Sequence, residues 1–130
     1  MMLVSLDFVY MPSADPAAES RHFCEALGAE LVFAIEAFGT RVAMIRLGEG
    51  SPALLFAGHL EGERPILVYR VTDLDDTAAK LLGQGCKVGD AFGIPHGPCR
   101  EITAPGGHRL AIYQLTRPEV AEHLAGRRDF

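Results

Sequence analysis

Ala104-Pro105-Gly106-Gly107-His108-Arg109-Leu110-Ala111-Ile112-Tyr113 is the stretch that decides how this chain folds. Pro105 fixes its own φ angle, and the two glycines accept positive φ at no steric cost, so the stretch predicts a tight turn. The alternating apolar residues Leu110, Ile112 and Leu115 predict a strand directly after it. The chain therefore reverses here and continues into a strand.

Working outward from this turn, the same order of elements occurs twice. Asp15-Pro16 and Gly28 mark the start and end of one helix, and the capping-box-like Thr72-Asp-Leu-Asp75 and Gly83 mark those of a second. Turns at Phe38-Gly39 and 48–52 separate the strands of the first half. The predicted helices are 16–27 and 74–82, and the predicted strands are 3–11, 30–35, 41–47, 53–57, 66–71, 86–88, 100–103 and 110–115.

This order resembles the vicinal oxygen chelate superfamily, the group of glyoxalases, bleomycin-resistance proteins and extradiol dioxygenases. The resemblance covers about residues 3 to 115 and depends on three motifs, the helix start at 71–75, the helix end Leu27-Gly28 and the turn at Pro105-x-Gly107. It implies an α+β fold in which two βαβββ repeats form a cupped mixed sheet with helices on the outer face. A ferredoxin-like domain is the alternative, but three strands between residues 29 and 57 favour the repeat.

One domain is expected from the length and from the repeat. We assign residues 1–116 to a single glyoxalase/bleomycin-resistance-like domain, with repeats at about 3–60 and 65–115. Residues 117–130 form a C-terminal tail. Its short helix-like piece at 119–125 is expected to lie on the surface or to cover a partner subunit.

The composition is that of a globular protein, with 48% hydrophobic and 22% charged residues. No apolar run approaches the roughly 20 residues of a membrane span, and no signal peptide is recognised. We therefore expect a cytoplasmic protein with no membrane partner. The net charge of −5 argues against nucleic acid. Cys24, Cys86 and Cys99 are odd in number and widely spaced, which indicates free, inert thiols.

The resemblance also implies four metal-ligand positions, and here they carry side chains that cannot bind a metal. Placed on this chain, they fall on Phe8, Leu55, Ile66 and Ala111, and the family's hairpin Asp is replaced by Ala104. None of these side chains has a lone pair for a divalent ion. We predict no metal and no cofactor. A register slip of one residue would bring Asp7 or Arg109 to these positions, and one Asp is not a site.

The alternation of side chains along strands predicts a lining for the cup. It is mostly apolar with a few polar groups, which is typical of a small-molecule pocket. His59 and His96 are included because both are predicted to lie in loops, His96 within Gly93–Pro98. The alternative is that Phe8, Leu55 and Ile66 fill the cup and leave no pocket. The predicted ligand-binding residues are Phe8, Tyr10, Leu55, His59, Arg70, His96, Arg100 and Tyr113.

Arg100 and Glu101 follow each other on one predicted strand, so only one of them faces inward. We expect Arg100 to do so, because a buried Glu without a partner is costly. A Glu101 that faced inward beside Arg70 would instead be an acid or base candidate.

Two classes of function remain open. The first is a metal-free protein of the glyoxalase/bleomycin-resistance type that binds a small hydrophobic or aromatic compound in the cup, as a homodimer. The second is a metal-dependent lyase, isomerase or dioxygenase of the same superfamily, with displaced ligands among His59, His96 and Glu101. A metal-free enzyme that uses Tyr113 or Glu101 as acid or base is also possible.

Overall fold

The computed structural model describes residues 2–37, 39–50 and 52–130. Phe38 and Ser51, which fall in predicted turns, lie outside the described residues. The described part contains, in chain order, β1 (Ser5–Pro12), α1 (Pro16–Leu27), β2 (Glu30–Ala37), β3 (Thr40–Arg46), β4 (Ala53–Ala57), β5 (Ile66–Val71), α2 (Leu74–Gly83), β6 (Lys87–Ile94), β7 (Gly97–Thr103), β8 (Arg109–Gln114) and α3 (Val120–Leu124).

The chain divides into two compact units, which we name after their helices. The α1 unit comprises residues 8–65 and 122–130, and its strands lie in the order β2-β3-β4-β1. β1 pairs with β4 in parallel, and the other pairs are antiparallel. Asp15 caps α1 by accepting a hydrogen bond from the N–H of Ala18 at 3.1 Å. α1 packs on the sheet through Phe23, whose ring centroid lies 5.0 Å from that of Phe56.

The α2 unit comprises residues 2–7 and 66–121, and its strands lie in the order β5-β8-β7-β6. β5 and β8 are parallel, whereas β8 with β7 and β7 with β6 are antiparallel. The N–H of Val4 donates to the carbonyl of Arg70 at 2.8 Å, which places the start of β1 in this unit. α2 covers one face of the sheet, where the buried core consists of Val71, Leu74, Ala78, Ile102 and Ile112.

The predicted fold class, α+β with two βαβββ repeats, is confirmed. The runs β1-α1-β2-β3-β4 and β5-α2-β6-β7-β8 have the same order of strands and helix. The predicted turn after Ala104 is also present, and the N–H of Gly107 closes it by donating to the carbonyl of Ala104 at 2.8 Å. None of the helices in the described part of the chain has the length and hydrophobicity that crossing a bilayer requires.

One element was predicted wrongly. The sequence assigned 93–98 to a loop because of its glycines and prolines, but β6 and β7 continue through it and leave only Pro95 and His96 in a turn. The register pairs Ile94 with Gly97, so this segment is the tip of a β-hairpin. The hairpin forms because Ile94 and Cys99 are buried and hold both strands in place.

Candidate functional site

In the α1 unit, three of the predicted residues share one face of the sheet. Tyr10 lies directly opposite Leu55, and Phe8 lies two residues before Tyr10 on the same face. The ring of Phe8 stands edge-on to that of Tyr10, with centroids 6.4 Å apart. All three side chains are buried.

The same face continues as an apolar layer across the unit. Leu55 pairs with Met44, and Met44 pairs with Phe33, so the row runs from Tyr10 across three further strands. All four residues are exposed by 8% or less. The alternative predicted from the sequence was that Phe8 and Leu55 fill the cup as part of the core. The burial of both side chains on this face agrees with that alternative. Their contact with a ligand stays a prediction.

His59 does not lie with these residues. It is exposed in the turn after β4, and its Nδ1 atom lies 3.3 Å from the hydroxyl of Thr40. Its position supports a role in the turn, and a ligand contact at His59 also stays a prediction.

A cavity of about 220 Å³ lies on the helix side of the α1 unit. Its walls come from α1, β2 and the end of the chain, and none of the predicted site residues contributes to it. It is lined by Ala17, Ser20, Arg21, Cys24, Leu31, Ala34 and Phe130.

In the α2 unit, Arg70 and Tyr113 lie directly opposite each other on β5 and β8. Tyr113 in turn pairs with Cys99 on β7, so the three side chains form one row. The neighbouring row on this face consists of Val68, Ala111 and Glu101.

The expectation that Arg100 faces inward with Ala111 is therefore wrong. Arg100 pairs with Ile112, which packs against α2, and its Nε atom donates to the carbonyl of Gly89 at 3.0 Å. Glu101 pairs with Ala111 and lies on the other face. Glu101 is half-buried there and meets Gly89, which has no side chain to oppose it.

The polar centre of the α2 unit is the carboxylate of Asp7. The hydroxyl of Tyr113 donates a hydrogen bond to its Oδ2 atom, and the hydroxyl of Ser5 donates to Oδ1 at 2.5 Å. The Nε atom of Arg70 lies 3.8 Å from Oδ2. The structure thus joins two predicted residues, Arg70 and Tyr113, to one that the sequence considered only as a register alternative. We call Asp7, Arg70 and Tyr113 the Asp7 cluster.

Access to the Asp7 cluster differs between its members. The side chain of Arg70 is 37% exposed and that of Asp7 is 16% exposed, whereas Tyr113 is buried. A buried hydroxyl that holds a half-buried carboxylate in one orientation is a preorganised arrangement, because the carboxylate need not reorder when something binds. The cluster therefore presents a fixed cation and anion pair with a solvent-accessible side.

His96 lies next to this cluster, at the tip of the β6–β7 hairpin. Its ring centroid is 6.3 Å from that of Tyr113, and the residue is 8% exposed. The tip is held by Arg117, whose guanidinium donates to the carbonyls of Pro95 and Ile94, both at 2.7 Å. The N–H groups of Thr116 and Arg117 both donate to the carbonyl of His96. His96, one of the predicted ligand-binding residues, is thus fixed in a buried turn and does not lie in an open loop.

Burial lowers the pKa of His96 below its ordinary value, the nearby Asp7 carboxylate works in the opposite direction, and the Arg117 charge adds to the lowering. Desolvation is the largest of these three causes. His96 is therefore neutral at pH 7, and it is available as a hydrogen-bonding group and not as a fixed cation.

The three cysteines are free thiols. Burial raises the pKa of Cys99 to about 12, the backbone N–H of Arg100 lowers it by a smaller amount, and the Glu101 charge raises it further. The thiol of Cys99 stays protonated at neutral pH, so it does not act as a nucleophile in the row beside Tyr113.

The four positions that the resemblance assigns to metal ligands carry side chains that do not fit a metal, and the absence of a metal stays a prediction. Phe8, Leu55, Ile66 and Ala111 are all buried, and none has a donor atom. Among residues 2–37, 39–50 and 52–130, no group of three or more His, Cys, Asp or Glu side chains is arranged to hold an ion. The displaced-ligand candidates His96 and Glu101 of the α2 unit belong to no such group.

Comparisons with known proteins identify the fold. No family model matches the sequence, and no curated protein does. A crystal structure of methylmalonyl-CoA epimerase from Mycobacterium tuberculosis is 22% identical, covers 93% of both chains and has a TM-score of 0.72. A Streptomyces coelicolor methylmalonyl-CoA epimerase in complex with 2-nitronate-propionyl-CoA is 16% identical, covers 88% of this chain and 96% of its own, and has a TM-score of 0.68. A hypothetical protein from Bacillus halodurans is 13% identical, with 87% and 95% covered and a TM-score of 0.70.

At these identities the likeness shows the fold alone. The epimerase structures have the vicinal oxygen chelate, glyoxalase-like fold, and this chain has it too. The fold implied by the sequence motifs is confirmed.

The lowered pKa of His96 predicts that stability rises with pH. In the unfolded chain the imidazole of His96 binds a proton below about pH 6.5. In the folded protein its pKa is lower, so the imidazole binds a proton only at a more acidic pH. The unfolded state then holds more protons, so the free energy of unfolding should fall as the pH drops below about 6.5. Urea unfolding between pH 5 and 8 measures this slope. His96→Gln should flatten the curve, and an unchanged slope in this variant would contradict the assignment.

Proposed function

We propose that this chain binds a small hydrophobic or aromatic compound without a metal, in the manner of glyoxalase/bleomycin-resistance proteins, and that the Asp7 cluster anchors it. The observation that carries the proposal is the Asp7 carboxylate held by Tyr113 with Arg70 beside it. In the neighbouring row on the same face of the α2 unit, Val68 and Ala111 are apolar and lie beside Glu101. A small-molecule site typically combines an apolar lining with a few fixed polar groups.

The side-chain chemistry supports the metal-free form of this proposal. Divalent ions need oxygen, nitrogen or thiolate donors, and the four positions that would supply them carry aliphatic or aromatic side chains. The epimerase neighbour in complex with a propionyl-CoA derivative shows that a protein of this fold binds a small molecule. The metal-dependent alternative would need ligands from other positions.

The same contact favours one second candidate, an enzyme that transfers a proton without a metal. A tyrosine hydroxyl that donates to a carboxylate is a pair through which a proton can move, and His96 lies beside it in neutral form. The two candidates share their residues and differ in whether a bound compound is chemically changed.

We also propose that the protein is a homodimer. β6 pairs only with β7 among the described strands, so its outer edge is open, and Phe92 on this strand is 44% exposed. An open edge and an exposed aromatic side chain are features that a second subunit covers.

Ligand binding tests the proposed function. We expect bleomycin, or a compound from a set of neutral and cationic aromatics, to raise the melting temperature and to bind in equilibrium dialysis, with no change after treatment with EDTA. Tyr113→Phe should weaken that binding about tenfold, because Asp7 loses the hydrogen bond that orients it, and a hydrogen bond to a charged group contributes about 1.5 kcal/mol.

Tyr69→Phe is the matched control. Tyr69 directly precedes Arg70 on β5. Its side chain therefore lies on the opposite face of the sheet from Arg70 and Tyr113, where it packs against the core beneath α2. Its replacement should leave affinity unchanged. Equal losses in both variants, or loss of binding with EDTA, would argue against the proposal. Conversion of a bound compound by the wild-type protein, abolished in Tyr113→Phe, would favour the enzyme.

A further inference from the structure

β2 is the last strand of the sheet in the α1 unit, and its sequence is one that pairs readily. Glu30–Ala37 reads ELVFAIEA, with an uninterrupted apolar run from Leu31 to Ile35. An edge strand of this composition presents unpaired backbone groups to any similar strand, and proteins normally cover or interrupt such edges.

The end of the chain covers this edge with backbone hydrogen bonds. The N–H of Gly126 donates to the carbonyl of Val32 at 2.9 Å, and the N–H of Ala34 donates to the carbonyl of Arg127 at 2.8 Å. The N–H of Asp129 then donates to the carbonyl of Ala34 at 2.7 Å. Ala34 and Arg128 form a parallel bridge, so residues 126–129 lie along β2 as a short extra strand. We call residues 126–129 the strap.

Side chains of the strap bond to further backbone groups of β2, on both sides of Ala34. The guanidinium of Arg128 donates to the carbonyls of Val32 at 3.2 Å and Leu31 at 2.9 Å. The carboxylate of Asp129 accepts from the N–H of Glu36 at 2.9 Å, and Arg127 holds that carboxylate at 2.6 Å. Backbone groups at both ends and in the middle of β2 are therefore paired with strap atoms, namely the carbonyls of Leu31, Val32 and Ala34 and the N–H groups of Ala34 and Glu36.

The strap lies on the surface of the α1 unit, and its side chains are not part of the buried core. Arg127, Arg128 and Asp129 are exposed, and the nearest buried side chain before them is Leu124 in α3. Phe130, which follows the strap, is stacked under the guanidinium of Arg41 at 5.0 Å and is one of the residues that line the cavity beside α1 and β2. Phe130 is half-buried and the other residues after Ala125 are exposed, so a chain that ends at Ala125 uncovers the edge of β2 without losing a side chain of the buried core.

We propose that the strap masks the edge of β2 from a second copy of this chain. Two β2 edges of the same sequence can pair antiparallel about a two-fold axis, which gives a closed, self-complementary interface. The strap occupies the hydrogen-bonding positions that this pairing needs, so the chain of residues 1–130 is prevented from associating through β2. Any dimer of that chain uses another surface.

The test is a chain that ends at Ala125, compared with the chain of residues 1–130 by light scattering at micromolar concentration. We expect the mass of the truncated chain to be at least twice that of the longer chain, because every exposed β2 edge pairs with another, and we expect cooperative thermal unfolding to be retained. A peptide of residues 117–130 added in excess should reverse this increase.

Glu36→Pro in the truncated chain is the control. The N–H of Glu36 points toward the strap and away from β3, so proline removes an edge donor and leaves the β2–β3 ladder in place. This variant should return to the mass of the chain of residues 1–130. A folded truncated chain whose mass does not increase would overturn the proposal. A truncated chain that does not fold would overturn it as well, since the strap would then be part of the folding core.

Discussion

Phe8→Ala is expected to lower the free energy of unfolding by about 3 to 5 kcal/mol. Phe8 is 8% exposed and stands edge-on to Tyr10, in a layer that continues through Leu55 and Met44. Because these neighbours are themselves buried in a sheet, they cannot move in to fill the volume of the lost ring. The resulting cavity adds to the lost burial of the ring. Urea unfolding of both proteins measures the difference.

Phe92→Ala is the matched control for this substitution. Phe92 is also an aromatic residue of a strand, but it is 44% exposed, so its truncation should cost less than about 1 kcal/mol. A loss at Phe8 as small as that at Phe92, together with weakened ligand binding, would mean that the ring of Phe8 lines an open pocket. Phe8→His should gain no stability from zinc, because the other three ligand positions still carry no donor.

The helices were predictable from the sequence because their signals are local. α1 begins at Pro16 and ends at Leu27 as predicted, since Asp15 caps its first turn and Gly28 adopts the left-handed conformation that ends a helix. α2 begins at Leu74 as predicted, with Asp73 as its cap. β4 and β5 also match their predicted bounds, because short apolar runs between turns have few alternatives.

The side chains of the candidate site were less predictable because they depend on register. A shift of one residue moves a side chain to the other face of a sheet, and the register of β7 could not be derived from its sequence. This is why Arg100 was predicted to lie on the face that Glu101 in fact occupies. The signal that could have identified Asp7 was its charge in an otherwise apolar run from Leu6 to Val9, since a carboxylate there needs a partner. That the partner is Tyr113, 106 residues away, could not be derived locally.

The pairing of the strap with β2 could not be predicted from the sequence, for a related reason. Gly126-Arg127-Arg128-Asp129 is polar and has no strand-like alternation, so its composition predicts a surface tail. Its place is set by backbone groups and by the long side chains of Arg128 and Asp129, which pair with a strand about 90 residues earlier in the chain. Backbone pairing of this kind leaves no pattern in the sequence of either segment.

The hairpin tip that carries His96 depends on a glycine that nothing larger can replace. A Cβ atom at Gly97 would lie 2.0 Å from the carbonyl oxygen of Gln114 and 3.0 Å from the hydroxyl of Thr116. The φ angle of Gly97 is +158°, a conformation that residues with side chains rarely adopt. The opposing backbone is itself fixed, because the side chain of Gln114 accepts from the N–H of Leu74 at 2.9 Å.

Gly97→Ala is therefore expected to lower the free energy of unfolding by about 3 kcal/mol or more, at the upper end of overpacking effects. Gly93→Ala is the matched control, since Gly93 lies on the same hairpin and a Cβ atom there meets nothing within 4 Å. Its cost should stay below about 1 kcal/mol, and urea unfolding compares the two. Gly97→Ala should also weaken the pH dependence assigned to His96, because relief of the clash moves the tip and exposes the imidazole to water. Equal stability of the two alanine variants would show that the end of β8 yields to the added methyl group, and that the position of His96 does not depend on Gly97.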